Sequence, residues 1–354
     1  MSKGQSLPSE KRELRDIKTG VTIWRMANHP SINHSLYFLN PSWTADGETV
    51  LFVSYRSGAP NLYMVHEESG EIVQVTDMEN FHPISAYPDR SDRRVFFTAG
   101  EEVRVVDLES LEEEVLATFH GARIGNCHLS SDGRMVVTAV RKVGSSAIVV
   151  VRTDGSGADT VIEVSREVGH VQFCPVDSNV ILYSSDITQR MWLVHLDGSE
   201  NRPLYAQRPD EWITHESWRG DSDQVIFVHW PYALMIISKD SDKARPLARL
   251  NCWHPSSRAD GSLMVCDTVH PDGGLQLIRP QTGEYEVFCY PESSSQGTQW
   301  PQSYPATGKV EENTYGPQRT HPHPSFSPDG RKVIYTSDRT GYSQVYVAIL
   351  PSVD

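Results

Sequence analysis

Apolar positions in this chain come in short runs rich in β-branched and aromatic residues, divided by polar turns. Seven such runs stand out: Val50–Val53, Val95–Phe97, Met135–Thr138, Val180–Tyr183, Val225–Val228, Leu263–Val265 and Val333–Tyr335. A turn signature precedes each one. The signatures are Trp43-Thr-Ala-Asp46-Gly47, Tyr87-Pro-Asp89, Ser131-Asp132-Gly133, Phe173-Cys-Pro-Val176-Asp177, Trp218-Arg-Gly-Asp221, Ala259-Asp260-Gly261 and Phe326-Ser-Pro-Asp329-Gly330. Asp-Gly and Pro-Asp pairs favour tight turns, because Gly supplies positive φ and Pro presets φ. With Val176 aligned to the Asp of the others, the spacings are 43, 43, 44, 45, 39 and 69 residues. A further run follows a second turn in each unit, as in Leu62–Val65 and Met191–Val194, and a fourth closes it, as in Ile72–Val75.

Four short strands in a unit of this length are the signature of a propeller blade. No segment shows a 3.6-residue apolar period, so no major helix is expected. The pattern therefore predicts an all-β, seven-bladed β-propeller, as one domain over residues 1–354. The last unit stops after its third strand, near Leu350-Pro351. The stretch from Asp16 to Trp24 resembles the third-to-fourth strand turn at Glu68–Val73, so the N-terminus is expected to complete the last blade. Closure of this kind leaves no open sheet edge. The long spacing of 69 places an extended loop at 291–320, rich in Ser, Gln, Pro and Gly, and it is expected to wall the site.

Composition narrows the function classes. The net charge of −14 and the lack of a basic block argue against a nucleic-acid partner. Five Cys with no C-x-x-C pair fit a reducing compartment. The first 18 residues are polar, without the apolar core of a signal peptide, and no run is long enough to span a membrane. A cytoplasmic protein is expected.

The histidines carry the chemistry. His170, His215, His254 and His323 each lie six positions before the aligned turn residue, and His321 lies eight before. Strand alternation predicts that positions six and eight share a face. The blades concerned are the adjacent fourth to seventh, so these rings are expected to converge at one end of the central channel. The alternative is that each only bonds within its blade. Gln318 precedes the pair in Gln318-Arg-Thr-His321-Pro-His323-Pro. Imidazole and amide donors without thiolate suit a divalent ion such as Mn²⁺, Fe²⁺, Ni²⁺ or Zn²⁺. Arg190 opens the third strand of blade four at the same end. It suits a carboxylate, which a guanidinium holds bidentately. No Gly-x-Ser-x-Gly elbow, P-loop or dinucleotide fingerprint is present.

From about residue 16 onward, the ordered set Arg190-Met-Trp-Leu-Val, Thr214-His215-Glu216-Ser-Trp218, His254 before Asp260-Gly-Ser-Leu-Met, and Gln318-x-x-His321-Pro-His323-Pro-Ser-Phe326 resembles the oligogalacturonate lyases. These are seven-bladed propeller enzymes that cleave short pectic oligosaccharides by β-elimination with Mn²⁺. The resemblance implies His254, Gln318, His321 and His323 as metal ligands, His215 as the base and Arg190 as the cation beside the substrate carboxylate. It implies an oligogalacturonide substrate and a 4,5-unsaturated product. His170, in phase with the others, is expected to contact substrate, and Trp253, like Trp212, Trp300 and Tyr315, either to stack on a sugar or to pack within the protein. Competing expectations are a non-catalytic propeller that binds protein or glycan, a lyase for another uronate, and a metal-dependent hydrolase.

Overall fold

The computed structural model describes residues 2–89, 93–268, 272–295 and 320–351. These form seven antiparallel sheets of four or five strands, and no helix occurs among them. Each sheet is one blade. The first contains Asn33–Ser35, Thr49–Ser54, Asn61–His66 and Ile72–Gln74, and the fourth Gly169–Cys174, Asp177–Ser184, Met191–His195 and Arg202–Pro203.

The second strand of each blade is buried on both faces, and the period of two sends alternate side chains to two different neighbours. In Thr49–Ser54, Val50 and Phe52 pack with Ile334, Val345 and Val347 of blade seven. Leu51 and Val53 pack with Val95, Phe97 and Val106 of blade two. Repetition of this rule gives seven apolar clusters, one at each seam between blades. The core is thus a ring of seams, each tied to its neighbours through shared strands.

The N-terminus closes the ring, and more extensively than the sequence suggests. Thr22–Arg25 pairs with Gln344–Ile349 as the fourth strand of blade seven, and Arg12–Arg15 adds a fifth outside it. Ser6–Leu7 crosses the seam to pair with Ile72–Gln74 of blade one. Most of the long loop (residues 296–319) lies outside the described residues, and with it Gln318, Trp300 and Tyr315. No helix among the described residues is long and apolar enough to cross a membrane.

Candidate metal centre and active site

The innermost strand of each blade runs from the histidine end of the channel to the turn end. The turn end follows a repeated local rule. Thr44, Ser130 and Ser327 each donate their hydroxyl to the Asp two residues on, at 2.8, 2.6 and 2.5 Å. The same Asp oxygens accept the backbone N–H of Glu48, Arg134 and Arg331. A cavity of about 440 Å³ opens there, lined by turn serines and by Trp43, Trp218 and Phe326. Phe38 closes it on the far side, with its ring 5.3–6.2 Å from those of His254, His215, His170 and His323.

The histidine end is irregular. His170, His215 and His323 all have left-handed backbone, with φ of 46°, 51° and 44°. Strand register slips by one residue between Gly169 and Gln172 and between Thr214 and Ser217. Each slip is a β-bulge, in which an extra unpaired residue turns its side chain away from the regular pleat. Convergence of the rings was expected from strand alternation, and the rings do converge, but by a different route. Bulges and left-handed residues aim them into the channel. Backbone of this kind costs about 1–3 kcal/mol per residue for a non-glycine and is concentrated at functional sites.

His254, His321 and His323 come together with one ring nitrogen from each within 4.8 Å of the others. All three are buried. His254 is the best oriented. Its Nδ1 lies 2.7 Å from Asp267 Oδ2, and its backbone N–H donates to Asp267 Oδ1 at 2.6 Å. A carboxylate on Nδ1 places the proton there and leaves the lone pair on Nε2, the usual arrangement behind a metal-binding histidine. His254 Nε2 is buried and has no hydrogen-bond partner in the protein. A buried orphan acceptor beside two further imidazoles fits a divalent ion with nitrogen ligands.

His215 stands next to this cluster, its ring centroid 4.4 Å from that of His254. Burial first, then the neighbouring rings and Arg190, hold its pKa well below 6.5, so it is neutral at pH 7. Its Nδ1 is buried without a partner. Trp253 packs against it at 4.3 Å, and also meets Trp230 at 6.3 Å and His254 at 5.9 Å. Only 1% exposed, Trp253 is enclosed by protein rings. Of the two expectations for Trp253, packing is the one this burial fits, with the indole forming a wall beside the ring of His215. Trp212 is also buried, against Trp230.

Arg190 and His170 meet at a residue for which sequence reasoning assigned no role. Glu216 is fully buried and accepts Arg190 Nε at 3.1 Å on one oxygen, while its other oxygen lies 2.9 Å from His170 Nδ1. Burial alone raises a carboxyl pKa, but Arg190 and His170 outweigh it and hold Glu216 at about 2. His170 Nε2 lies 3.0 Å from the Tyr37 hydroxyl. With Nδ1–H donating to Glu216, Nε2 accepts from Tyr37, and the ring is fixed at both nitrogens. Burial lowers the His170 pKa despite Glu216.

A signal for Asp267 was present in the sequence. It faces His254 across the Asp260-Gly261 turn, as the register Pro255↔Cys266 requires of the next pair outward. Glu216 follows His215 directly, but a bulge between them sets its direction. Tyr37 and Phe38 carry no motif at all.

Residues 144–353 match the family model described as oligogalacturonate lyase. The chain is 24% identical to an oligogalacturonide lyase of Pectobacterium atrosepticum and 25% identical to an oligogalacturonate lyase of Dickeya dadantii, each over 99% of both chains. Among solved structures, it is similar to an oligogalacturonate lyase in complex with manganese (TM-score 0.86, 24% identity, 99% of both chains). It is also similar to an oligogalacturonate lyase from Vibrio parahaemolyticus (TM-score 0.84, 23% identity, 99% of both chains).

Proposed function

This chain belongs to the oligogalacturonate lyase family, and we propose that it cleaves short oligogalacturonides by metal-dependent β-elimination. The observation that carries the reading is the conjunction at one end of the channel. A three-imidazole cluster, a neutral histidine and an arginine locked to a buried carboxylate share one wall.

His254, His321 and His323 would hold the ion, with Gln318, outside the described residues, as the fourth ligand. Mn²⁺ is the ion present in a similar solved structure, and another divalent transition metal suits the same donors. When bound, the ion supplies Lewis-acid charge neutralisation at a uronate carboxylate. Arg190 adds a fixed positive charge beside it, and Glu216 keeps the guanidinium from swinging away before substrate arrives. With that carboxylate neutralised, the C5 proton becomes acidic enough for a neutral imidazole to remove, and His215 is the base. The C5–H electron pair becomes the C4–C5 double bond, the C4–O4 bond breaks with its pair on O4, and the departing sugar leaves as the alcohol after O4 takes up a proton. His170, bonded to Tyr37 and Glu216, lines the same wall toward substrate. Five buried free thiols support a reducing, cytoplasmic setting.

The deciding experiment mixes the Mn²⁺-loaded protein with digalacturonate and follows the ultraviolet absorbance of the unsaturated uronide. A rise identifies the lyase. Cleavage without that chromophore identifies a hydrolase and overturns the reading. Activity on another uronate disaccharide, with digalacturonate untouched, overturns the substrate.

A further inference from the structure

Blades two and three contribute none of the phased histidines, yet they concentrate positive charge at the same end of the channel. Arg123 opens the first strand of blade three and pairs in register with Arg141 of Met135–Lys142. Both lie at the strand ends remote from the Ser130–Gly133 turn, level with His170 and Arg190. Arg141 Nε donates to the backbone oxygen of Val168 at 2.8 Å, which carries its guanidinium across the seam to blade four. Its Nη2 lies 3.2 Å from where a Cβ on residue 169 would stand, so Gly169 makes room for it directly beside His170. His82 of blade two adjoins the pair. Its backbone N–H donates to Thr98 O, and the Thr98 hydroxyl donates to Gly125 O of blade three.

Like charges directly opposite on neighbouring strands repel. Among the described residues, neither Arg123 nor Arg141 makes an ion pair. Yet acids outnumber bases in the chain by 46 to 32, so counter-charges are plentiful. His82 Nδ1, whose ring feels both arginines, and Asn126 Nδ2, three residues after Arg123, are buried without partners. Burial, reinforced by Arg141 and Arg123, lowers the His82 pKa to about 4, so the ring is neutral at pH 7 and adds no further repulsion. Glu167 offsets the charge of Arg141 in part, but without a direct ion pair, so the guanidinium pair keeps a net positive charge and donors turned to no carboxylate. Such a pair is complementary to an anion, and guanidinium geometry matches a carboxylate.

We propose that Arg123 and Arg141, flanked by His82 and Asn126, form a second carboxylate subsite for the uronate next to the one that loses its C5 proton. The proposal rests on the lyase reading above. It adds that recognition spans two sugars, one carboxylate at the metal and Arg190, the next at the arginine pair of blade three.

The test crosses a protein change with a substrate change. Arg123→Gln and Arg141→Gln are compared with the parent, all loaded with Mn²⁺, on digalacturonate and on digalacturonate methyl-esterified at the departing sugar. One lost charge-assisted hydrogen bond corresponds to about a tenfold change in binding. Each variant should raise KM for digalacturonate by about tenfold with kcat within about twofold. The ester, which takes away the partner of both arginines, should cost the parent more than it costs either single variant, and should cost a doubly substituted Arg123→Gln/Arg141→Gln protein almost nothing, because the changes act on one shared interaction. Arg123 is exposed, so its replacement leaves the fold intact and keeps the test valid if Arg141→Gln misfolds. Unchanged KM in a folded variant, or ester and arginine losses that simply add, overturns the subsite alone. A parent that neither binds nor cleaves oligogalacturonides overturns the lyase reading as well.

Discussion

The two ends of the central channel are built from the same strands, and they treat the backbone in opposite ways. At the turn end the rule is repetition. A hydroxyl, an Asp two residues on and a Gly at positive φ recur at residues 44–47, 130–133 and 327–330, with each turn hydroxyl paired to its Asp. At the histidine end the rule is exception. Three histidines sit at positive φ, two strands bulge, and buried nitrogens on His254 and His215 have no protein partner. Satisfied, repeated geometry serves stability. Unsatisfied, strained geometry is retained where a ligand completes it.

That contrast can be broken by experiment. The largest expected effect is on His215→Ala. Loss of a general base should lower kcat by about 10²–10⁴, with metal affinity and Tm near the parent values. Full activity in a folded His215→Ala protein would move the base elsewhere. Next is Glu216→Gln, which removes the buried carboxylate charge that Arg190 and His170 share. Removal of one member of a buried pair costs about 3–5 kcal/mol, read as a loss of thermal stability. Its effect on kcat/KM should vanish in an Arg190→Ala background, as expected for a residue acting through Arg190. The pH dependence has a definite sign. Glu216 is depressed to about 2 in the folded state, so its contribution is complete above the ordinary carboxyl pKa and is lost as pH falls toward 2. Glu216→Gln should therefore narrow its stability gap to the parent in acid, as measured by chemical denaturation.

A smaller effect is expected from Asp267→Asn, which removes the carboxylate behind His254. Metal affinity should fall by about 10–100-fold, measured by titration of the stripped protein with Mn²⁺. Unchanged affinity would show that His254 needs no orienting partner. The smallest is Asp132→Ala at the turn end. It should cost about 1 kcal/mol in denaturant unfolding and leave kcat and KM unchanged. A kinetic effect there would mean that the two ends are coupled through Phe38.

How much was legible in advance follows the same division. The blades could be read because each strand obeys a period of two and each turn uses Asp, Gly and Pro, which are properties of nearest neighbours. The N-terminal closure at Thr22–Arg25 followed from counting the strands that a complete blade requires, whereas the crossing of Ser6–Leu7 to blade one had no such signal. Histidine phase places the rings at one end of the channel, while the bulges and left-handed residues that aim them leave no signal in the phase. For Trp253 residue type alone leaves stacking and packing both open, and the rings of His215 and Trp230 against it favour packing.

The amino-acid sequence by itself determined the seven-fold repeat, the seam-filling apolar strands and the presence of four phased histidines, since each rests on local periodicity. Only the tertiary structure decided which groups complete them. Glu216 between Arg190 and His170, Asp267 behind His254, Tyr37 on His170 and Arg141 beside Gly169 join residues 13 to 133 positions apart. Distances of a few ångströms between such positions are set by ring closure and by bulges of a single residue, and neither leaves a periodic trace in the chain.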